Sequence, residues 1–353
     1  MGICLIPVFE SHPALVNSDW TAFATGGRLA VTDPTHLYSL RAQVSEQRVI
    51  TGGAVLQAHD EVGILPFDMP PWVALLSAPF AALGTDVGAR LWIAVELAAL
   101  ALGIYLLAPR ENRQSWLPGF AAVPTALAGL NAQTDGLVVL GLGLAWTLWH
   151  RDRRLAAGLA LGLCLVKPQL VLPVGAALLV TRSWEVIAGW VAAALVLAAV
   201  VAARDVAWLI QWPSFLAANA GHVGTEIGPM QFLWSSGLPR PVQLVGAAIV
   251  VVLATVATLA VASRLRARPA AGTVVAGGLL AAPHALGNDL VLLPAALVLG
   301  ERGRWWAWVL VSLLALAAAV LKGTMGTSVA GVLLVVLVLA WLGGRSATSA
   351  ASL

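Results

Sequence analysis

Long apolar segments alternate with short polar loops from about residue 72 to residue 342, and this pattern predicts the fold class. The longest, such as 242–262, reach the roughly 20 apolar residues that a helix needs to cross a bilayer. Others, including 135–149 and 154–166, are clearly shorter, and such helices are tolerated at membrane depth where they pack on protein or line a cavity. The sequence therefore predicts an all-α polytopic membrane protein built as a multi-helix bundle. The predicted apolar segments are 72–84, 87–108, 117–131, 135–149, 154–166, 168–181, 185–203, 239–262, 271–282, 290–300, 305–321 and 327–342.

Composition agrees with this pattern, because only 10% of the residues are charged, whereas about a quarter are charged in a soluble domain. The net charge of +3 gives no reason to expect a nucleic-acid partner, since the basic residues stand in short clusters between apolar segments. Membrane lipids are the expected surroundings.

The basic clusters also predict the topology. The positive-inside rule places them in the cytoplasm, and the remaining loops then all face the extracytoplasmic side of the cell membrane. The basic clusters are 109–113, 150–154, Arg182, 264–268, 301–304 and Arg345. The loops predicted to face outward are 131–135, 167–169, 204–238, 282–289 and 322–327.

Three regions follow from this topology. Residues 1–70 are mixed in polarity and are expected to form an extracytoplasmic segment with one or two short surface helices. Residues 71–345 form the transmembrane helical domain, and residues 346–353 form a cytoplasmic tail. With the first segment outside, the short 72–84 helix has to be re-entrant or interfacial, and a first membrane helix is expected to be missing.

The motif "KPQ" places Lys167, Pro168 and Gln169 inside an apolar run. Ionisable residues at membrane depth are costly and are functional candidates by default. One interpretation is a lysine that snorkels to the interface. The other is an anion site, because Pro168 begins a new helix whose N-terminus, with the ammonium and the Gln169 amide, would suit a phosphate.

The loop "APHALGND" carries a second candidate group. Asn288 and Asp289 could simply cap the following helix. Alternatively, His284 donates to a phosphate while Asp289 orients it or binds a sugar hydroxyl, with Asn288 nearby. Metal binding is not expected, because no clustered His and Cys spacing supports it.

Two further groups of polar residues complete the candidates. Asn131, Gln133 and Asp135 in "NAQTD" could connect and cap two helices, or they could line a sugar pocket, since amides and carboxylates pair with hydroxyls. Asp19 in "NSDWTAF" is a lone acid, and such residues are usually solvated. Arg28 and Tyr38 follow it closely along the chain.

Four segments together resemble glycosyltransferase family 87. Residues 18–39 are similar to its Asp-Phe-x-x-Tyr…Gly-Arg…Leu-Tyr segment, and residues 67–83 to its Phe-x-Tyr-Pro-Pro helix start. Residues 132–184 resemble its core from Gly-Gln-x-Asn through Lys-Pro-Gln to Arg-Trp, and residues 282–298 its Ser-Pro-His…Tyr-Asp-Leu segment.

The resemblance implies a GT-C fold and an inverting glycosyltransferase that uses a polyprenyl-phosphate sugar, with mannose as the expected hexose. The acceptor would be an extracytoplasmic glycolipid or glycan, and no cofactor is implied. Asp19 would be the catalytic base. Lys167, His284 and Gln169 would bind the donor phosphate. The sugar and acceptor contacts would come from Arg28, Tyr38, Asn131, Gln133, Asp135, Asn288 and Asp289.

The chain departs from the family pattern at three positions. Met69 replaces the tyrosine before Pro-Pro, Ala132 replaces a glycine, and Asn288 replaces a tyrosine. These departures leave open a different acceptor or an inactive member of the family. Broken helices also occur in secondary transporters, so transport is the alternative from another class.

Overall fold

The computed structural model describes residues 11–53, 64–219, 226–262, 268–321 and 324–343. Over these ranges the chain is helical, and the β-type pairing is confined to an isolated antiparallel bridge between Glu226 and Leu286. The all-α prediction is therefore confirmed. The predicted tail at 346–353 lies outside the described residues. The α-helices are α1 (His12–Val16), α2 (Trp20–Thr32), α3 (Leu40–Ile50), α4 (Pro71–Ala81), α5 (Thr85–Leu107), α6 (Trp116–Ala121), α7 (Val123–Leu130), α8 (Asp135–Trp149), α9 (Arg154–Leu161), α10 (Leu172–Val180), α11 (Trp184–Asp205), α12 (Trp208–Asn219), α13 (Gln231–Trp234), α14 (Arg240–Ala262), α15 (Arg268–Ala281), α16 (Leu292–Leu299), α17 (Trp305–Val320) and α18 (Met325–Gly343).

Within the described ranges, three helices are long and apolar enough to cross a membrane: Thr85–Leu107, Trp184–Asp205 and Arg240–Ala260. Shorter apolar helices accompany them, as the sequence pattern predicts. Helices α11 and α14 expose many of their large apolar side chains, such as Leu195 and Val245. A bilayer would cover such faces, and the fold is that of an all-α polytopic membrane protein.

Prolines interrupt the helices at the positions that matter for the site. The 3₁₀ turn Gly162–Val166 ends at Lys167, whose φ of −137° and ψ of 71° are not helical, and a second 3₁₀ turn runs over Pro168–Val171. Proline disfavours the helical conformation of the residue before it and lacks the N–H that a continuous helix would use. The predicted break at "KPQ" is confirmed.

One predicted segment, 117–131, divides into two helices. Helix α6 ends at Ala121, and α7 begins at Val123 with Pro124 in its first turn. The backbone between them is extended at Ala122, so the two short helices can take different directions. The apolar pattern located the segment, and Pro124 explains its division into two helices.

Helix α2 does not lie on the surface, contrary to the expectation for the first 70 residues. Ten of its 13 residues are buried. Gly27 lets α2 approach α4 so closely that a Cβ there would lie 2.9 Å from the backbone nitrogen of Ala78. Ser77 of α4 also donates to the carbonyl of Phe23 at 2.8 Å. Helix α2 is therefore part of the helical core, and its sequence hides this because small and polar residues make the contact.

The loops gather at two ends of the bundle. At one end Arg268 donates to the carbonyls of Leu107 and Leu299, so the start of α15 meets the ends of α5 and α16 beside the basic clusters. At the other end, Trp92 donates to the carbonyl of Ala132 at 2.8 Å, and Trp72 donates to that of Leu165 at 2.9 Å. The structure thus groups the polar motifs together. Their extracytoplasmic orientation stays a prediction.

Candidate functional site

A cavity of about 250 Å³ lies among the polar motifs. Most of its wall is apolar, with side chains such as Phe23, Ile64 and Leu127. A mostly apolar cavity with a few convergent polar groups is the usual form of a small-molecule site. Its polar side chains are Asp19, Asp68, Asn131, Gln133, His284, Asn288 and Thr327.

Asp19 is held against the turn between α7 and α8. It stands directly before α2, and its carboxylate accepts a hydrogen bond from the Gln133 side-chain amide. Its backbone N–H donates to the carbonyl of Asn131 at 3.2 Å. The lone acid of the sequence is therefore half-buried and oriented in a cavity wall rather than freely solvated.

The turn itself depends on a left-handed residue. Ala132 has a φ of +55°, a conformation that few non-glycine residues adopt. The Gln133 N–H donates to the carbonyl of Ala128 at 3.1 Å, which closes the end of α7 and points the Gln133 side chain toward Asp19. The other amide atom, Gln133 Oε1, is buried and accepts no hydrogen bond from the described part of the chain.

An extended segment, 64–70, forms another wall, and two glutamines of α3 hold it. The Gln43 amide pairs with both the N–H and the carbonyl of Phe67, at 2.9 and 3.3 Å. Gln47 does the same for Leu65, accepting its N–H at 3.0 Å. Four helical residues rise about 6 Å and two extended residues about 6.6 Å, so the two spacings match.

This segment places Asp68 in the cavity and gives Tyr38 a role different from the predicted one. Tyr38 donates its hydroxyl to the carbonyl of Met69 at 2.8 Å, and Trp212 donates to that of Asp68 at 2.9 Å. Burial, followed by the charge of Asp68, raises the pKa of Tyr38, so its hydroxyl stays a donor. Sequence reasoning missed Gln43, Gln47 and Asp68. The spacing of four between the glutamines was the available signal.

His284 lines the cavity from the loop after α15 and pairs with Glu226. Its Nδ1 lies 2.9 Å from Glu226 Oε1, and that carboxylate is almost completely buried. Burial lowers the pKa of His284, but the charge and hydrogen bond of Glu226, together with the charges of Asp68 and Asp289, outweigh it and raise the pKa to about 9. Glu226 was also missed, because a single glutamate between the apolar segments carries no motif of its own.

Lys167 lies behind the cavity wall in a buried network. Its Nζ donates to Asp135 Oδ1 at 2.9 Å and to Asp289 Oδ1 at 2.6 Å, and all three side chains are buried. The Asn288 amide donates to Asp135 at 3.2 Å, and the Leu286 N–H donates to Asp289 at 2.7 Å. The ammonium thus has two carboxylate partners and does not line the cavity.

The remaining predicted site residues lie away from the cavity. Arg28 pairs with Glu46 of α3, and Gln169 is half-buried in the second 3₁₀ turn. Glu96 is a further buried acid that the sequence did not single out, and it accepts the Leu137 N–H at 3.1 Å near the start of α8. The structure thus brings Asp19, Asn131, Gln133, His284 and Asn288 together around one space.

In the ranges that the structure describes, no group of three or more His, Cys, Asp or Glu side chains is arranged to hold a metal ion. The polar groups of the cavity are instead amides, carboxylates, one imidazole and one hydroxyl. Such groups suit hydroxyl and phosphate recognition.

Comparison with known proteins agrees with the motifs. No curated protein and no solved structure matches the chain. The sequence model of glycosyltransferase family 87 matches residues 67–286, well over half of the chain. The match includes the turn at 131–135, Lys167 and His284, whereas Asp19 precedes it. The chain therefore belongs to glycosyltransferase family 87 and is a membrane glycosyltransferase.

Proposed function

We propose that this glycosyltransferase moves a hexose, with mannose as the first candidate, from a polyprenyl phosphate to an extracytoplasmic glycolipid or glycan. The observation that carries the proposal is the shared cavity of Asp19 and His284, in a member of glycosyltransferase family 87. A carboxylate and a cationic donor around one space are the two groups that a single displacement on a sugar phosphate requires.

Asp19 is the proposed general base. The acceptor hydroxyl attacks the anomeric carbon, its proton passes to the Asp19 carboxylate, and the bond between that carbon and the phosphate oxygen breaks. A single displacement of this kind inverts the configuration at the carbon. The Gln133 amide supports the role, because its hydrogen bond orients the Asp19 carboxylate in the cavity wall.

His284 is the proposed contact for the leaving polyprenyl phosphate. The phosphate keeps the electron pair of the broken bond, so a charged donor stabilises the transition state. Gln133 Oε1, which lacks a partner among the described residues, and Asn131 and Asn288 are the proposed contacts for sugar or acceptor hydroxyls. Lys167 is assigned no direct contact, because its amine lies between two carboxylates.

Asp19→Asn tests the base. The variant keeps the size and the hydrogen-bonding capacity of the side chain but cannot take a proton, and a base contributes about 10²–10⁴-fold to rate. We expect transfer from radiolabelled polyprenyl-phosphate mannose in purified membranes to fall by that factor.

Asp33→Asn is the matched control, because Asp33 is half-exposed at the end of α2 and does not line the cavity. We expect it to retain wild-type transfer. Undiminished transfer by Asp19→Asn would remove the base assignment. If wild-type membranes transfer no sugar from any polyprenyl phosphate, the proposed donor is wrong.

A further inference from the structure

We propose that Glu226 is a positioning residue that keeps His284 in its imidazolium form, so that the ring offers a charged N–H to a lipid-linked phosphate in the cavity. The inference rests on the proposed function, because it assumes that His284 meets the donor phosphate. It adds a residue to which the sequence motifs give no role.

The Glu226 carboxylate is fixed on both of its oxygens. Oε1 lies 2.9 Å from His284 Nδ1, and Oε2 accepts the Trp234 indole N–H at 3.2 Å. The backbone of the same residue accepts the Ser328 hydroxyl at 2.5 Å. A buried carboxylate held in this way cannot turn away from the imidazole, so their pairing is preorganised.

The loop that carries His284 is fastened to the Glu226 segment as well. The Ile227 N–H donates to the carbonyl of Ala285 at 2.9 Å, within the antiparallel bridge between Glu226 and Leu286. Glu226 is therefore one residue of the bridge, and His284 stands two positions before the other, Leu286. The separation of Glu226 and His284 is set by backbone hydrogen bonds rather than by chance contact of long side chains.

The charge of Glu226 determines whether Nε2 of His284 is a hydrogen-bond donor or an acceptor. A neutral histidine that donates from Nδ1 to a carboxylate has a lone pair on Nε2, which would repel a phosphate oxygen. An imidazolium donates from both nitrogens. Pairing with Glu226 therefore matters for phosphate recognition through the protonation state, and not only through the orientation of the ring.

The other charged groups that face His284 act in the same direction. Asp68 on the extended segment and Asp289 in the middle of the 3₁₀ turn Gly287–Val291 both favour the protonated ring, in addition to Glu226. Lys167 is the cation of the buried network, and it pairs with Asp135 and Asp289. The raised pKa of about 9 means that the ring is charged at neutral pH.

Histidine-selective NMR of the purified protein gives a direct reading that is independent of transfer. The chain has six histidines, and comparison with His284→Asn assigns the signal. We expect the wild-type ring to titrate near pH 9. In Glu226→Gln it should titrate at or below the ordinary value of about 6.5, and in Glu226→Asp close to the wild-type value. A wild-type titration at or below about 6.5 would overturn the inference even if no Glu226 variant folds.

Farnesyl phosphate in nanodiscs is the probe for recognition. At a pH of about 7.5 its affinity should fall roughly tenfold or more in Glu226→Gln and should recover as the pH is lowered through the new pKa, since a neutral ring loses its donor. Glu226→Asp should retain the wild-type affinity. Equal binding by wild type and Glu226→Gln, with the same pH dependence, would overturn the role of Glu226 alone. Absence of binding by the wild-type protein at every pH would overturn this inference together with the proposed donor.

Discussion

Replacing Lys167 with methionine tests whether its amine serves the buried network or the substrate. The change keeps the length and much of the apolar stem of the side chain but removes the charge. Two hydrogen bonds would be lost, at 2.9 Å to Asp135 and at 2.6 Å to Asp289. Both acids are fully or almost fully buried, so water cannot replace the ammonium without opening the bundle.

The expected cost follows from what remains after the substitution. Breaking a buried ion pair by removing one partner costs about 3–5 kcal/mol, because the other charge is left uncompensated. Two carboxylates share this one ammonium, so the upper part of the range applies unless one of them takes up a proton. A loss of that size is a large fraction of the roughly 5–15 kcal/mol that stabilises a typical folded domain.

The assay is the free energy of unfolding in mixed detergent micelles, measured together with sugar transfer in membranes. Arg153→Met is the surface control, because Arg153 is exposed before α9, and it should leave the free energy of unfolding unchanged. A triple variant that adds Asp135→Asn and Asp289→Asn to Lys167→Met should regain most of the lost stability, since it removes both unpaired charges. Wild-type stability of Lys167→Met combined with loss of transfer would refute the structural role and support the phosphate contact instead.

Two further predictions concern the extended wall of the cavity and the crossing of α8 and α5. Gln43→Leu should lower the free energy of unfolding by about 1–3 kcal/mol, because it leaves the buried N–H of Phe67 without its acceptor. Unchanged stability in chemical denaturation would contradict the role of Gln43 in holding the extended segment. Gly136→Ala should destabilise by about 1–3 kcal/mol or more, because a Cβ there would overlap the Glu96 carbonyl where α8 crosses α5. Gly228→Ala is its control in the same thermal-unfolding measurement, since a Cβ there would make only ordinary contacts, and equal stability of the two variants would contradict the close crossing.

The apolar periodicity determined the fold class, because a helix in lipid must satisfy its own backbone and the length of each apolar segment follows from that need. Proline chemistry likewise determined the break at Lys167, which the structure shows as two 3₁₀ turns. The break at Ala122 obeyed the same physics, although the sequence pattern alone did not reveal it. The order of the motifs along the chain likewise indicated the family.

The tertiary structure decided which polar groups share a space. Asp19 and Gln133 are 114 positions apart, and Lys167 and Asp289 are 122 apart, so no local pattern could pair them. The Lys167 ammonium, which the sequence suggested as a phosphate contact, pairs with two carboxylates in the structure. An unpaired buried charge is costly, and these two acids compensate it. The roles of Glu226 and of the two glutamines of α3 become visible only through their hydrogen-bond partners on other segments. Local sequence fixes where helices run and break, whereas the partners of buried polar groups depend on how those helices pack.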